Sequence, residues 1–374
     1  MRRWPLAFAP ALSLVGCSFQ PGALPGDGGA DSAMQPDARP DAMHDGGGSG
    51  SGSGSGSSVI AGMHQLVASL GNAGELDNFR LAVGLDSSIV DYTKIPSPTG
   101  GLAFIDGNGD ALAYEIEHWQ PGGSSVVWVR VPALAGSGSS TTLELEWGQN
   151  LPDPGNLWTT AYPQGYAQVL HFDSGTAVTD SAGNSFPPTA TGVSTATGIY
   201  GNGAGFTPTS TVTFSNSTSL YAAWSQITLQ FWLNPSSVPS EAQVITRGGP
   251  ISNGVLAPVD SGTALFELDW SFANGDDEMT IVTVPIQQWS LLTFTFDGKT
   301  LTPYLDGSAQ APLVVSATGT TLAHDSSPSD VVTLGSGFQG TLDELEVTQG
   351  VRSADWISAE YANATSASAV IFGP

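Results

Sequence analysis

The sequence predicts an all-β protein with two β-sandwich domains. Short segments of alternating apolar and polar residues recur along the chain, and Gly, Pro, Asn and Asp separate them, a pattern typical of strands joined by tight turns. Hydrophobic residues make up 40% of the 374 residues and charged residues only 11%. This composition suits an exported all-β protein better than a helical cytosolic one. The length is enough for two domains with appendages.

The N-terminal segment is typical of an export signal. Two arginines precede an apolar run over 4–15, which is shorter than the roughly 20 residues that span a bilayer. The run ends in a small residue followed by Cys17, the only cysteine. This ending resembles the lipobox of bacterial lipoproteins, which implies a signal peptide over 1–16 and acylation of Cys17; an ordinary signal peptide with a chance cysteine is the alternative. The lipobox residues are Leu14, Val15, Gly16 and Cys17.

Residues 17–58 are predicted to form a lipidated, disordered tether. They contain spaced aspartates, prolines and a nearly pure Gly-Ser stretch, none of which can bury apolar surface. A flexible coil of about 40 residues reaches roughly 35 Å. We expect it to hold the folded domains clear of a membrane, although an inert insertion would look the same. Because Ser18 and not Asp follows Cys17, the likeness to lipoproteins favours the outer membrane or cell surface.

Net charge and cysteine content exclude several classes of function. The chain has 34 acidic and 9 basic residues, a net charge of −25. Such a surface repels phosphate backbones, so we predict no nucleic-acid partner. It is compatible with neutral glycans and divalent cations. With Cys17 acylated, no thiol remains for intrachain disulfides, thiolate catalysis or cysteine-ligated metal.

The first folded domain is predicted over 59–150. Apolar residues crowd around Trp128, which indicates a central strand buried on both faces. Turn sequences such as Gly107-Asn108-Gly109 separate the strands. The predicted strands are Phe79–Leu85, Leu102–Ile105, Ala111–Trp119, Val126–Val131 and Thr141–Trp147.

Five motifs stand in order along this domain: Asn78-Phe79, Phe104-Ile105-Asp106, Tyr114–Trp119, Val127–Pro132 and Leu145–Gln149. Together they resemble a bacterial domain family of unknown function that often precedes laminin-G-like modules. The family implies a small β-sandwich without an established activity. Some of its members look like companions of energised biopolymer-transport proteins of the cell envelope.

A linker over 151–166 is predicted to lead into a second domain over 167–374. Short, regularly spaced strands with an Asp297-Gly298 turn indicate another sandwich. Ser353 is a good N-cap for a short helix over 354–362. The predicted strands are Gln168–Phe172, Thr211–Phe214, Gln226–Leu233, Ala264–Ser271, Met279–Val284, Trp289–Phe296, Thr300–Leu305, Val331–Leu334 and Gly340–Thr348.

The second domain also carries ordered motifs: His171-Phe172-Asp173, Asp180–Asn184, Trp289–Gly298, Tyr304–Gly307, Gly340–Val347 and Arg352–Ile357. They resemble the opening strand, central hairpin, closing strand and terminal helix of laminin-G-like, concanavalin-A-type jelly rolls. The resemblance implies a concanavalin A-like jelly roll over this part of the chain.

Some concanavalin-A-type glycosidases carry three acids on one face of a strand, and two acids of this chain match the first two. Strand alternation places Glu267 and Asp269 on the same face. The third position holds Ser271 or Phe272, so the acid that completes the pattern is absent. We therefore predict a solvated strand face and no enzymatic activity, with glycoside hydrolysis as the alternative.

The resemblance to jelly rolls implies a structural Ca²⁺ held by an acid near the opening strand and one on the closing strand. By motif these are Asp173 and Asp343, and carboxylate oxygens are the ligands that Ca²⁺ prefers. A hydrogen-bonded turn at Asp343 is the alternative. A second calcium candidate is a partial EF-hand pattern from Asp106 to Glu117, but Ala111 replaces its turn glycine. An Asp-Gly-Asn-Gly hairpin turn explains that segment without an ion.

Taken together, these patterns favour a lipid-anchored cell-envelope binding protein that recognises glycan or protein through its jelly roll. A structural or accessory subunit of an envelope transport or adhesion complex is the alternative, and a glycoside hydrolase is a third. For sugar stacking, Trp158 and Trp224 fall near predicted loops. Four other tryptophans fall in alternating strands and are predicted to be core: Trp128, Trp147, Trp232 and Trp289.

Overall fold

A computed structural model gives the conformation of most of the chain after the tether. The lipobox, nearly all of the tether and Trp158 lie outside the described residues. None of the helices within the described part is long and apolar enough to cross a membrane. The described residues are 57–155, 165–174, 178–183, 187–214, 223–246, 251–274, 277–315, 321–323 and 331–373.

The regular structure in these ranges is almost entirely β-strand, with one α-helix, α1 (Ala354–Thr365), and a 3₁₀ turn at Tyr92–Lys94. The strands are β1 (Val59–Ala68), β2 (Leu76–Leu85), β3 (Leu102–Ile105), β4 (Tyr114–His118), β5 (Ser125–Leu134), β6 (Thr141–Gln149), β7 (Tyr166–Leu170), β8 (Pro188–Thr191), β9 (Ser194–Thr197), β10 (Asn202–Phe206), β11 (Thr211–Phe214), β12 (Ile227–Pro235), β13 (Ala242–Thr246), β14 (Ile251–Pro258), β15 (Thr263–Ser271), β16 (Asp277–Pro285), β17 (Ser290–Phe296), β18 (Thr300–Leu305), β19 (Ser308–Ala309), β20 (Leu313–Val314), β21 (Thr333–Leu334), β22 (Gly340–Thr348) and β23 (Val370–Phe372).

The first sandwich pairs a four-stranded sheet, sheet A, with a three-stranded sheet, sheet B. Sheet A has the order β23-β1-β6-β3 and sheet B the order β2-β5-β4. Phe79, Phe104 and Leu145 are fully buried in their shared core. The central strand β5 is buried on both faces around Trp128, as its run of apolar residues predicts.

The second sandwich is the predicted jelly roll. Sheet C runs β19-β18-β17-β12-β22-β10-β9, with β7 and β20 pairing alongside, and sheet D runs β16-β15-β14-β13-β21-β11-β8. Phe231, Phe266 and Phe294 meet in the core between the sheets, with ring centroids 5.6–5.7 Å apart. The all-β, two-sandwich fold class is therefore confirmed.

The two sheets of the jelly roll differ in how far their outer faces are covered. In sheet D, β15 and β16 alternate between buried and more exposed residues, as expected with one face in the core. In sheet C, β17 is buried at every position, and so are polar residues such as Gln230 and Thr293. Trp232 of this sheet stacks on Tyr361 of α1 at 5.8 Å. Sheet B and α1 cover this outer face, so the two sandwiches share an interior.

The helix and the last strand both attach to the first sandwich. Ser353 caps α1 by accepting a hydrogen bond from the N–H of Trp356, as predicted. Trp356 packs against Phe79 with ring centroids 5.1 Å apart. The strand β23 pairs with β1 in sheet A, although the sequence analysis places this segment in the second domain. An edge strand can pair with any free, complementary backbone, so the local sequence does not specify which strand β23 joins.

Candidate functional site

A buried ion-pair network lies between the two sandwiches. Arg80 of β2 is 2% exposed, and its guanidinium contacts Glu346 of β22 and donates to Glu360 of α1 at 2.7 and 3.0 Å. The same guanidinium lies over the ring of Trp128, 5.0 Å from its centroid. Buried charges persist when they are paired in this way, so the two sandwiches meet through polar groups as well as apolar ones.

A β-bulge in β22 turns the side chains of the closing strand toward this interior. The register with β12 shifts between Gln230 and Trp232, and Glu344 takes a left-handed backbone conformation with φ 48°. Leu342 and Leu345 both join the jelly-roll core although they are three residues apart. Residues on one face of a regular strand are an even number of positions apart, so a spacing of three requires an inserted residue. The insertion leaves Glu344 on the side that faces the first sandwich.

Glu344 belongs to a cluster of three ligand-type side chains at this boundary. Both of its carboxylate oxygens lie 2.9 Å from Nδ1 of His171, which follows β7. Glu117 of β4 places Oε2 at 3.8 Å from the same nitrogen. One ligand atom from each of Glu117, His171 and Glu344 lies within 4.8 Å of the other two.

Neighbouring groups hold this cluster, which we call the Glu-His-Glu cluster, in place. Trp128 donates its Nε1–H to Glu117 Oε2 at 2.7 Å and stacks on His171 at 5.7 Å between ring centroids. Glu115 lies 3.7 Å from His171 Nε2 and accepts a 2.6 Å hydrogen bond from Ser181. A cleft of about 150 Å³ opens onto Glu115, Glu117 and His171.

Burial and mutual repulsion shift the protonation of the cluster. Burial, followed by the charge of Glu344, raises the pKa of Glu117 well above its ordinary value. Burial alone would lower the pKa of His171, but the carboxylates of Glu344, Glu115 and Glu117 raise it well above the usual range. Perturbed groups that line a cleft are candidates for a functional site.

The predicted calcium pair is only partly brought to this cleft. Asp173 lines it and holds the side chains of His118 at 2.7 Å and Asn202 at 3.2 Å. Asp343 is fully buried, and one of its oxygens accepts the backbone N–H groups of Ile199 and Tyr200 at 2.7 and 3.3 Å. Asp343 lies within β22, so these bonds join it to a distant segment of the chain instead of to a turn of its own. Binding of Ca²⁺ by this pair stays a prediction.

The partial EF-hand segment forms a turn. Asp106 accepts the backbone N–H groups of Asn108 and Asp110 at 2.8 and 3.0 Å, and Gly109 has φ 89°. These bonds lower the pKa of the Asp106 carboxyl, the bond from Asp110 most. Glu117, at the far end of the pattern, is bonded to Trp128 instead.

The glycosidase-like acids lie on the outer face of sheet D. Glu267 pairs across the sheet with Ile281, and Asp269 with Met279. Burial, then the nearby Asp269, raises the pKa of Glu267. Trp270 points the other way into the core, where it is fully buried, as strand alternation predicts.

Strand alternation predicts four buried tryptophans, and three of the four are buried. Trp128, Trp147 and Trp232 are buried, whereas Trp289 is half-buried. Trp224, a predicted stacking residue, packs partly buried against the jelly-roll core.

Every member of the Glu-His-Glu cluster lies within a sequence motif of its domain, but no motif brings the three together. The available signal is the density of acids in otherwise apolar strands, at Glu115 and Glu117 in β4 and at Glu344 and Glu346 in β22. Charged residues are rarely buried unless they are paired.

Two family models match the chain. One, described as the concanavalin A-like lectin/glucanases superfamily and named Laminin_G_3, matches residues 206–358. The other is a domain of unknown function, DUF2341, which matches residues 99–174. The resemblances noted from the motifs of the two folded domains are thereby confirmed. A comparison with curated proteins finds no match.

Solved structures with low identity are similar to part of the chain. The binding domain of Paraclostridial Mosquitocidal Protein 1 matches at 14% identity and a TM-score of 0.42, covering 52% of this chain and 51% of that one. Domain 4 of AbnA, a GH43 extracellular arabinanase from Geobacillus stearothermophilus in complex with arabinotriose, matches at 19% identity and 0.41, covering 53% and 98%. The botulinum neurotoxin serotype D ligand binding domain in complex with N-acetylneuraminic acid matches at 15% and 0.41, covering 52% and 50%. This chain thus spans about half the length of the two toxin domains.

Proposed function

We propose that this chain, which carries a DUF2341 domain followed by a laminin-G-type concanavalin A-like domain, is a glycan-binding protein displayed on the cell envelope. The observation that carries the proposal is the match of residues 206–358 to the concanavalin A-like lectin/glucanases superfamily, a region that spans most strands of both jelly-roll sheets. Fold alone does not fix a ligand, so the binding face is argued from the arrangement of this chain.

The free face of the jelly roll is the outer face of sheet D. Sheet C is covered by the first sandwich and α1, since Gln230, Thr293 and Glu346 on its outer side are all at most 5% exposed. The alternation of β15 and β16 leaves their outward residues more accessible. A ligand of any size therefore reaches the jelly roll through sheet D or its rim.

The outer face of sheet D carries carboxylates and exposed apolar side chains, and a sugar can be bound by both kinds of group. Glu267 and Asp269 provide carboxylate oxygens that accept hydrogen bonds from sugar hydroxyls. Across the sheet from them, Ile281 and Met279 are 44% and 45% exposed and offer apolar surface for the C–H faces of a sugar ring. Sites for small ligands commonly combine apolar lining with a few placed polar groups.

Binding is favoured over hydrolysis at this face. A retaining glycosidase needs a nucleophile and a separate acid/base that protonates the leaving group. The strand carries Glu267 and Asp269, but at its next outward position Ser271 replaces the third acid of the glycosidase pattern. The family match to a lectin-like fold agrees with a non-enzymatic role.

Display on the envelope rests on the sequence of the N-terminus. Cys17 follows Leu14, Val15 and Gly16 in the lipobox arrangement, and the Gly-Ser-rich tether gives the folded part a reach of roughly 35 Å. We propose lipid anchoring at Cys17 with the glycan-binding face held outward.

The test is a glycan array probed with the purified full chain and with the double variant Glu267→Gln, Asp269→Asn. We expect selective binding that falls at least tenfold in the double variant. The matched control is Glu75→Gln, Asp77→Asn, which neutralises two exposed acids of the first sandwich and is expected to bind as the parent does. A blank array, or equal binding by all three proteins, would contradict the proposal.

A further inference from the structure

We propose that Glu117, His171 and Glu344 form a binding site for one divalent transition-metal ion, and that the ion is zinc. The three ligand atoms lie within 4.8 Å of one another, so one ion can contact all of them with small side-chain movements. Glu117 comes from the first sandwich, whereas His171 and Glu344 come from the second. The proposal does not depend on glycan binding at sheet D.

A second observation at Glu117 points to a ligand. Its side chain is 0% exposed, and within the described residues its Oε1 has no hydrogen-bond partner. Its other oxygen is held by Trp128, so the carboxylate is oriented and half-satisfied. Leaving a buried carboxylate oxygen unpaired is costly. A cation in the adjoining cleft would satisfy it.

The chemistry of the donors selects the class of ion. Calcium and magnesium take oxygen ligands almost exclusively, whereas this site presents an imidazole nitrogen beside two carboxylates. Imidazole suits zinc and other transition metals, and zinc often takes three protein ligands with one position left for water. The cluster therefore fits zinc, in contrast to the Ca²⁺ predicted at Asp173 and Asp343.

The surroundings of His171 match those of a metal-binding histidine. Its Nδ1 faces Glu117 and Glu344, and its Nε2 lies 3.7 Å from Glu115 Oε2. Histidine ligands are usually oriented by a carboxylate or carbonyl at the second ring nitrogen. Stacking on Trp128 fixes the plane of the ring.

Zinc at this position joins the two sandwiches. Because its ligands come from β4, the end of β7 and β22, binding requires the folded arrangement of both sandwiches. A ligand that binds only the folded state stabilises it by mass action, and structural metal sites couple binding to folding in this way.

The decisive experiment is equilibrium dialysis of the full chain against zinc chloride, with bound metal measured by mass spectrometry. We expect about one zinc per chain, undiminished by excess Ca²⁺. Glu117→Gln keeps an acceptor for Trp128 but replaces a charged carboxylate ligand by a neutral amide, so it should weaken zinc binding at least tenfold. The matched control, Glu75→Gln, should bind zinc as the parent does.

A second measurement locates the ion directly. Anomalous diffraction at the zinc edge should place one peak between Glu117, His171 and Glu344, whether or not any variant is well folded. Three results would each overturn the proposal: no zinc binding, a preference for Ca²⁺ at this position, or unchanged zinc binding by folded Glu117→Gln. A peak at Asp106 or Asp173 without one at the Glu-His-Glu cluster would do the same.

Discussion

Arg80 donates two hydrogen bonds, at 2.7 and 3.0 Å, to Oε1 of Glu360, a residue 280 positions further along the chain. One residue lies in the first sandwich and the other on the helix that follows the second. The same oxygen accepts the indole N–H of Trp356 at 2.6 Å. A few buried charged residues, each with several partners, thus determine how the two sandwiches meet.

Replacing Arg80 should destabilise the whole described fold. Arg80→Ala leaves Glu346 and Glu360 buried without their cation, and breaking such a pair costs about 3–5 kcal/mol. Urea unfolding followed by tryptophan fluorescence measures the loss. Arg130→Ala on the neighbouring strand is the control, because Arg130 is only half-buried, and its loss should stay below about 1 kcal/mol. Equal losses in the two variants would contradict this account of the junction.

Asp343 is expected to act through hydrogen bonds, whether or not calcium is present. Asp343→Ala removes the acceptor for the N–H groups of Ile199 and Tyr200, which should lower the free energy of unfolding by roughly 2–4 kcal/mol. We expect the same loss with Ca²⁺ and with a chelator. Asp173→Ala, at a half-exposed position, should lose less. A loss seen only in the presence of Ca²⁺ would instead support the predicted calcium pair.

Tyr114 should make stability fall at high pH. Burial, reinforced by Asp153, raises the pKa of Tyr114 to about 12, above the value of about 10 for an unfolded tyrosine. The folded state therefore holds this proton more tightly, and its stabilising effect is complete below pH 10 and is lost as the pH rises toward 12. Urea unfolding at several alkaline pH values should show a smaller decline for Tyr114→Phe. Parallel declines in the two proteins would contradict the assignment.

Acylation at Cys17 is tested by fatty-acid labelling of the chain expressed in a Gram-negative host. The parent should incorporate label and partition with membranes, and Cys17→Ser should incorporate none, since the thiol is the acylated group. Ser18→Ala keeps Cys17 and should label as the parent does. Label in Cys17→Ser would show that the lipid is attached elsewhere.

Local sequence specifies a hairpin where a tight turn joins its two strands. The β17–β18 hairpin is predicted at Asp297-Gly298, and there the Asp297 side chain accepts the N–H of Lys299 while Gly298 has φ 94°. Such turns need only neighbouring residues. Seven strands of the second sandwich have no predicted counterpart, namely β8, β9, β10, β13, β14, β19 and β20, although β9 pairs with β10 and β13 with β14 nearby in the sequence. The strands β1 and β23 have none either, and their pairing depends on segments far along the chain.

The candidate site was harder to predict for the same reason. His171 and Glu344 are 173 positions apart, and no spacing rule connects them. The motif resemblance pointed to Asp343, one residue away, but the bulge at Glu344 resets the alternation of β22. A shift of one residue exchanges the faces of a strand, so the acid beside His171 is Glu344 instead.

The pairing of β23 with β1 has a consequence for how the chain reaches its native state. The His64 side chain contacts the carbonyl oxygen of Gly373 at 2.9 Å, across 309 positions, and β23 pairs with the last three residues of β1. This part of the sheet A edge can therefore pair only after the jelly roll, which lies between the two strands in the sequence, has been synthesised. Non-local pairings of this kind slow folding, and an unpaired edge invites association with other chains. Because β23 pairs with β1, a fusion placed directly after β23 is expected to perturb the first sandwich more than the second.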